Sequence, residues 1–335
     1  MTKVVLEKLG RFPERWRAMS RRRRWMWSYL AAIVMSLLWV ETVGLSQIRL
    51  DLDLHPTRFW QLYPHRFSEI NPDRYRGERV DFSKPKPGLR VLCLGDSSTF
   101  GLGLPVKDTY PFQLQHLLRK RAVDAQVVNL GVPGYAVVQI RDWLHYWLEE
   151  RGVRADAAVF YTGHNEWKGS HTGYADENRR LSRDTGPPPR WLSYFRTVRM
   201  WRYKHARWVS IRPVRQRQPR VPEQRYVALI ENLVADCRDR GIRPYWLAYR
   251  QRDPSAMQLR YMELGRETCE RLDVPFLPME TMIANEATAF GEDGTHPFPE
   301  GYRLIAEAVA EAVMADFGGE SHGPNENGPA EAEPR

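Results

Sequence analysis

The order of apolar and polar positions divides the chain into an apolar block near its start, an aperiodic stretch, and a long region in which two periods alternate. The alternation begins at Leu89. LRVLCLG, Leu89–Gly95, is a short apolar run closed by glycine, the form expected of a strand buried on both faces. Tyr110, Leu114, Leu117 and Leu118 then recur at helical spacing. AQVVNL, ending at Leu130, reads as a second strand, and Val137, Ile140, Leu144, Trp147 and Leu148 share one face of the helix after it. DAAVFYTG, ending at Gly163, reads as a third strand. The rhythm breaks until about residue 225, then resumes with a helix near Tyr226–Arg240, a strand PYWLAY to Tyr249, and a helix near Ala256–Leu272. A strand VPFLPM and a helix from Tyr302 to about Met314 end the series. Strands alternating with helices predict an α/β fold: five parallel strands in one sheet, covered by helices.

The apolar block has a different meaning. WMWSYLAAIVMSLLWV, Trp25–Val40, is separated from TVGL by Glu41 alone, and the whole stretch approaches the roughly 20 residues that a bilayer-spanning helix needs. RRRR, Arg21–Arg24, precedes it directly, and Arg excess marks the cytoplasmic side of a span. The expectation is a basic cytoplasmic segment over residues 1–24 and an uncleaved signal anchor over 25–45, with the remainder periplasmic or otherwise extracytoplasmic. A cleaved signal peptide is the competing reading, but its apolar region normally runs about 7 to 15 residues. VETVGLS also offers a poor small-x-small cleavage site. Trp25, Trp27 and Trp39 suit the two lipid–water interfaces.

Residues 46–88, rich in Pro, Arg and aromatics without sustained periodicity, read as an irregular tether packed on the domain that follows. From Gly318 to residue 335 the chain is polar and lacks large apolar residues, the composition of a disordered tail. The domain between them, residues 89–317, is large enough to bury a substantial core. Composition narrows the picture further: 335 residues, 42% apolar, 12% aromatic and a formal charge of +9 exclude wholesale disorder, collagen and a small disulfide scaffold. Cys93, Cys237 and Cys269 are an odd set without a CxxC pair, so buried thiols are expected rather than disulfides or a zinc site.

Candidate chemistry falls where ligand sites form in open α/β sheets, at the carboxyl ends of strands. The first strand runs into GDSSTFG, Gly95–Gly101, placing Ser97 on a strand-to-helix turn where its hydroxyl can face solvent and its N–H an incoming oxyanion. Alone, such a block is more often simply a turn. The second strand ends in NLGVPGY, Asn129–Tyr135, where Gly131 and Gly134 permit close backbone approach to a ligand, or merely an ordinary loop. The third ends in TGHNE; Asn165 can aim its amide at developing negative charge, or cap a helix. DGTHP, Asp293–Pro297, sets a carboxylate three residues ahead of an imidazole, so that Asp293 can accept from one ring nitrogen of His296 and leave the other to take a proton from a serine. Metal binding is the other reading of that pair, but no further His/Cys/Asp cluster has ligand spacing, and neither metal nor cofactor is expected.

Taken together and in this order, the four blocks resemble the SGNH subgroup of the GDSL esterase/lipase superfamily, over roughly Arg90–Met314. INPDRYRGE and KPKPG also resemble the lead-in of its membrane-anchored bacterial members. The resemblance implies a three-layer, flavodoxin-like SGNH hydrolase fold. It also implies Ser97 as nucleophile, Gly134 and Asn165 completing an oxyanion hole, and His296 as base supported by Asp293. Two positions depart from the pattern: Ser98 replaces the leucine of GDSL, and Glu166 stands where many members have Asp. The function implied is a membrane-anchored serine esterase or deacylase acting through an acyl-enzyme on an O-acylated envelope glycan or lipid. An O-acyltransferase with the same triad, and a catalytically silent envelope scaffold, are the alternatives.

The insertion over residues 166–225 carries Trp191, Tyr194, Phe195, Val198, Trp201 and Trp208 near one face of a helix candidate, with Arg196, Arg199, Lys204 and Arg207 on others. Such a basic amphipathic segment can lie as a lid on the domain, rest on anionic lipid, or meet an anionic glycan. Export argues against nucleic acid as the partner, and nothing in the sequence specifies an oligomeric state.

Overall fold

The computed structural model describes residues 16–41, 52–55, 58–64, 69–86, 88–169, 195, 197–201, 218–249, 251–279, 289–291 and 293–318. The chain forms two compact units, one of Met1–Arg49 with Pro188–Arg199 and one of Leu50–Pro187 with Met200–Arg335.

The first unit contains helix α1, Arg21–Trp39, whose N-terminus is capped by the Ser20 hydroxyl accepting from Arg23 N–H. It starts before the apolar run because arginine is a good helix former. None of its side chains is buried. The sequence predicts a membrane span over residues 25–45. The apolar part of α1 ends at Trp39, and at 1.5 Å per residue it covers about 22 Å, short of a hydrocarbon core of about 30 Å. Among the described residues no helix is long and apolar enough to cross a membrane. Residues 42–45 of the predicted span lie outside them. In the same unit, Glu41 Oε2 accepts from the N–H of Thr197 at 3.0 Å and from its hydroxyl at 2.8 Å, tying the insertion to the end of this helix. Of the insertion's helix candidate, residues 197–201 are helical; Trp191, Tyr194 and Trp208 of its aromatic face lie outside the described residues, as does the polar tail from residue 319.

The second unit begins with a hairpin of β1, Leu52–His55, and β2, Phe59–Leu62, paired antiparallel with Leu52 opposite Leu62. This ordered hairpin corrects the reading of residues 46–88 as irregular throughout. Strands of four residues carrying Asp53, His55 and Gln61 are too short and mixed for a two-residue period to be legible.

The main sheet comprises β3 (Leu89–Gly95), β4 (Ala125–Gly131), β5 (Ala157–Thr162), β6 (Arg243–Ala248) and β7 (Phe276–Leu277), all parallel in the order β4-β3-β5-β6-β7. The intervening helices are α2 (Ser97–Phe100), α3 (Tyr110–Lys120), α4 (Val137–His145), α5 (Glu223–Arg238), α6 (Ala256–Arg271) and α7 (Pro299–Phe317). Successive strand residues point to opposite faces. Leu92 and Leu94 of β3 join Phe160, Ile140, Leu229 and Tyr261 under α4, α5 and α6, whereas Val91 and Cys93 join Val159, Leu114 and Ile305 under α3 and α7. Both faces are therefore covered, which is why β3 and β5 are buried throughout. The three cysteines are buried and free. Chain order and sheet order reverse between β3 and β5, the switch point beyond whose strand ends ligands bind in open α/β sheets.

Candidate active site

The strand ends beside the switch point collect the four sequence blocks. β3 delivers the chain into the single turn of α2, and Asp96 caps that turn by accepting from Ser98 N–H through Oδ1 at 2.8 Å. The close crossing of this turn over the sheet requires glycine beneath it. A Cβ on Gly131, at the end of β4, would lie 2.2 Å from the Phe100 nitrogen. Arg76, buried in the lead-in segment, fastens the far end of the turn by donating from Nη1 to the carbonyls of Phe100 and Gly101, both at 2.6 Å.

Ser97 and His296 are 199 residues apart in sequence, yet His296 Nε2 lies 2.8 Å from Ser97 Oγ. On the other side of the ring, Nδ1 lies 2.5 Å from Asp293 Oδ2, and Asp293 Oδ1 accepts from the N–H groups of Thr295 and His296, both at 2.9 Å. Partial burial opposes ionisation of Asp293, but these three hydrogen bonds outweigh it and hold its pKa below the ordinary carboxylate value. The loop bearing the pair is closed at its base by Gly291 N–H donating to His296 O and Phe298 N–H to Ala289 O, each at 2.7 Å. It is also clamped from the end of β6. Tyr249 hydroxyl donates to Thr295 O, Gln251 Nε2 to Thr295 Oγ1, and Arg252 N–H to Gly294 O at 2.8 Å, while Arg252 Nη2 donates to the carbonyls of Phe290 and Gly291.

Beside Ser97, the two candidate glycines separate. Gly131 N–H donates to Asn129 Oδ1 at 3.0 Å and is occupied. Gly134, at φ +81°, has an N–H with no acceptor among the described residues, and the Ser97 N–H likewise has none. The Gly134 loop is braced by Trp60 Nε1 donating to Pro133 O at 2.9 Å, Tyr135 hydroxyl donating to Trp60 O at 2.7 Å, and Arg220 Nη1 donating to Gly134 O at 2.9 Å. Asn165 presents its amide to the same place: Nδ2 donates to Asp96 Oδ2 at 2.8 Å and to Tyr135 O at 2.9 Å. All five residues singled out from the sequence, Ser97, Gly134, Asn165, Asp293 and His296, thus come together at the strand ends beside the switch point.

Glu166 is fully enclosed. Oε1 accepts from Val137 N–H at 2.7 Å, at the start of α4, and Oε2 from Gly163 N–H at 2.9 Å, so the carboxylate pins the second block to the third. Burial raises its pKa to about 7 and that of Asp96 to about 6, in each case against hydrogen bonds that favour the charged form. His164 is stacked on Tyr249 with ring centroids 4.5 Å apart, and burial, aided by the nearby Lys168 charge, depresses its pKa to about 3. The sequence reading missed Asp96, Lys168, Gln251 and Arg252. Asp96 has a local signal, an acidic residue directly before a helical turn; the other three have none, because their partners are distant in sequence or defined only by the folded loops. Among the described residues no group of His, Cys, Asp and Glu side chains could hold a metal.

A serine hydroxyl in contact with an imidazole, itself backed by a carboxylate at the ends of a parallel sheet, defines a serine hydrolase. A family model for GDSL-like lipases and acylhydrolases matches residues 93–304. The chain belongs to that family, and is an SGNH/GDSL-type serine hydrolase acting on ester bonds. No curated protein matches it. Among solved structures, it is similar to a lipase/acylhydrolase from Enterococcus faecalis, with 13% identity over 68% of this chain and 96% of that one and a TM-score of 0.45. It is also similar to the acetylxylan esterase Axe2 from Geobacillus stearothermophilus, with 16% identity over 68% and 94% of the two chains and a TM-score of 0.44. The esterase EstA from Pseudoalteromonas sp. gives 11% identity over 68% and 98% and a TM-score of 0.45.

Proposed function

We propose that the protein is a membrane-anchored esterase or deacylase that removes acyl groups from an O-acylated envelope glycan or lipid through an acyl-enzyme on Ser97. The observation that carries the chemistry is the continuous contact from Ser97 Oγ through His296 to Asp293 beside two backbone N–H groups that have no acceptor among the described residues. In the proposed sequence Ser97 Oγ attacks the ester carbonyl while His296 Nε2 takes its proton. The oxyanion is received by the N–H groups of Ser97 and Gly134 and by Asn165, one of whose N–H bonds, now directed to Asp96 or Tyr135, would be shared with it. His296 then protonates the leaving alcohol. Water enters by the reverse proton transfer, releasing the acid and the free serine. Asp293, held ionised, keeps the imidazole oriented and stabilises its charged form.

The anchor reading is supported by α1 itself: a helix apolar on every side, with no buried side chain and four arginines in its first turn, has no aqueous surface that suits it. Such an anchor would place the catalytic unit at the outer membrane surface, among O-acylated glycans and lipids. The test of the chemistry is labelling by an organophosphonate together with hydrolysis of 4-nitrophenyl acetate. Label should appear on Ser97 and be suppressed by His296→Ala. Asn165→Ala should lower kcat by about 100-fold or more with a smaller change in KM. Attachment at Ser98, with Ser97→Ala still labelled, would refute the assignment.

A further inference from the structure

Lys168 lies on the carbonyl side of the Asn165 amide, three residues along the loop after β5. Its Nζ donates to Asn165 Oδ1 at 3.4 Å and hydrogen-bonds to His164 Nε2, and it makes no ion pair among the described residues. The opposite edge of the same amide is held by Asp96 Oδ2 and Tyr135 O. Asn165 is therefore set between a cation on its oxygen and two acceptors on its nitrogen. This arrangement fixes which way the amide faces, since the reversed orientation would turn its oxygen toward a carboxylate and a carbonyl and its N–H groups toward an ammonium. It also draws electron density toward Oδ1 and makes the N–H bonds stronger donors.

We propose that Lys168 is a positioning residue for the oxyanion donor: its ammonium orients the Asn165 amide and polarises it toward the charge that forms on the substrate carbonyl. This rests on the reading of Ser97 as nucleophile and Asn165 as oxyanion donor. The ionisable groups facing Lys168 are His164, Asp96, Glu166 and Arg220. His164, kept neutral by its burial, is an uncharged support that sets where the ammonium sits. Burial, the largest influence on Lys168, holds its pKa below the ordinary lysine value despite the opposing fields of Asp96 and Glu166. The ammonium therefore loses its proton at lower pH than an exposed lysine, and its help should fade along the alkaline limb of the rate profile.

The experiment compares kcat and KM for 4-nitrophenyl acetate in the full chain and in Lys168→Met, Lys168→Arg and Ser97→Ala, normalised by active-site titration where Ser97 is present. Lys168→Met should lower kcat about tenfold with KM changed by less than about twofold, because the lost charge acts mainly on the transition state. Lys168→Arg should restore most of kcat and remove the alkaline limb, since guanidinium does not titrate there. A merely structural role would lower the melting temperature or the titratable fraction and leave kcat per site and the pH profile of Lys168→Arg as in the parent; that result overturns the proposal. Should Lys168→Met not fold, the pH profile of Lys168→Arg decides alone. Full activity in Ser97→Ala would instead refute the serine mechanism, a failure separate from this one.

Discussion

At the scale of single residues, Glu166 offers a stability test that is independent of any substrate. Its pKa is raised by burial from an ordinary 4.5 to about 7, so folding favours the protonated form. The stability this contributes is fully present below about pH 4.5 and is lost as pH rises through about 7. The unfolding free energy of the parent minus that of Glu166→Gln should therefore fall by about 3 kcal/mol between about pH 4.5 and pH 8. Urea unfolding at matched pH values measures it, and a difference that is flat or rises with pH would contradict the assignment. Buried Asp96 is present in both proteins and largely cancels. Glu166 was visible in the sequence only as a departure from a motif. Its task, joining the N–H of Val137 to that of Gly163, depends on the loops after β4 and β5, which approach each other only when those strands flank β3.

At the scale of elements, the site depends on how closely α2 crosses the end of the sheet. A Cβ at Gly131 would meet the backbone of Thr99 and Phe100 at 2.6 and 2.2 Å, so Gly131→Ala must push away the turn that carries Ser97. It should cost about 1–3 kcal/mol of stability, and slow organophosphonate labelling of Ser97 about tenfold in the folded protein. Unchanged labelling would show that the turn yields without moving the hydroxyl. Element existence was legible wherever burial imposed a run or a period: LRVLCLG and DAAVFYTG announced β3 and β5 as short apolar runs because both faces of each are covered. The edge strand β7 is only Phe276–Leu277, and the β1–β2 hairpin is two strands of four residues. Such short, partly exposed strands leave little pattern to detect, and the hairpin's role in bracing the Gly134 loop through Trp60 leaves none.

At the scale of the whole molecule, the proposed anchor makes topology testable. The four arginines at Arg21–Arg24 and the exposed apolar side chains of α1 predict that the N-terminus stays in the cytoplasm. A reporter active only outside the cytoplasm, fused after Phe317, should be active, and the protein should stay with the membrane fraction through an alkaline carbonate wash. Activity confined to a cytoplasmic reporter would reverse the orientation, and release by carbonate would remove the anchor.

By itself the sequence determined the alternation of strands and helices, the burial of three free cysteines, and the short blocks around Ser97, Asn165 and His296, because each is written locally, in a period or in a few adjacent residues. Only the tertiary structure decided between Gly131 and Gly134. Both are glycines of one loop, and the difference is that Asn129 takes the N–H of the first while the second, at positive φ, meets no acceptor among the described residues. Only the tertiary structure placed Lys168 on the Asn165 carbonyl and closed Tyr249, Gln251 and Arg252 over the His296 loop. The first contact is set by how the loop after β5 turns back on itself; the others join loops whose approach follows from strand order, and strand order is fixed by packing helices on both faces of the sheet rather than by any run of neighbouring residues.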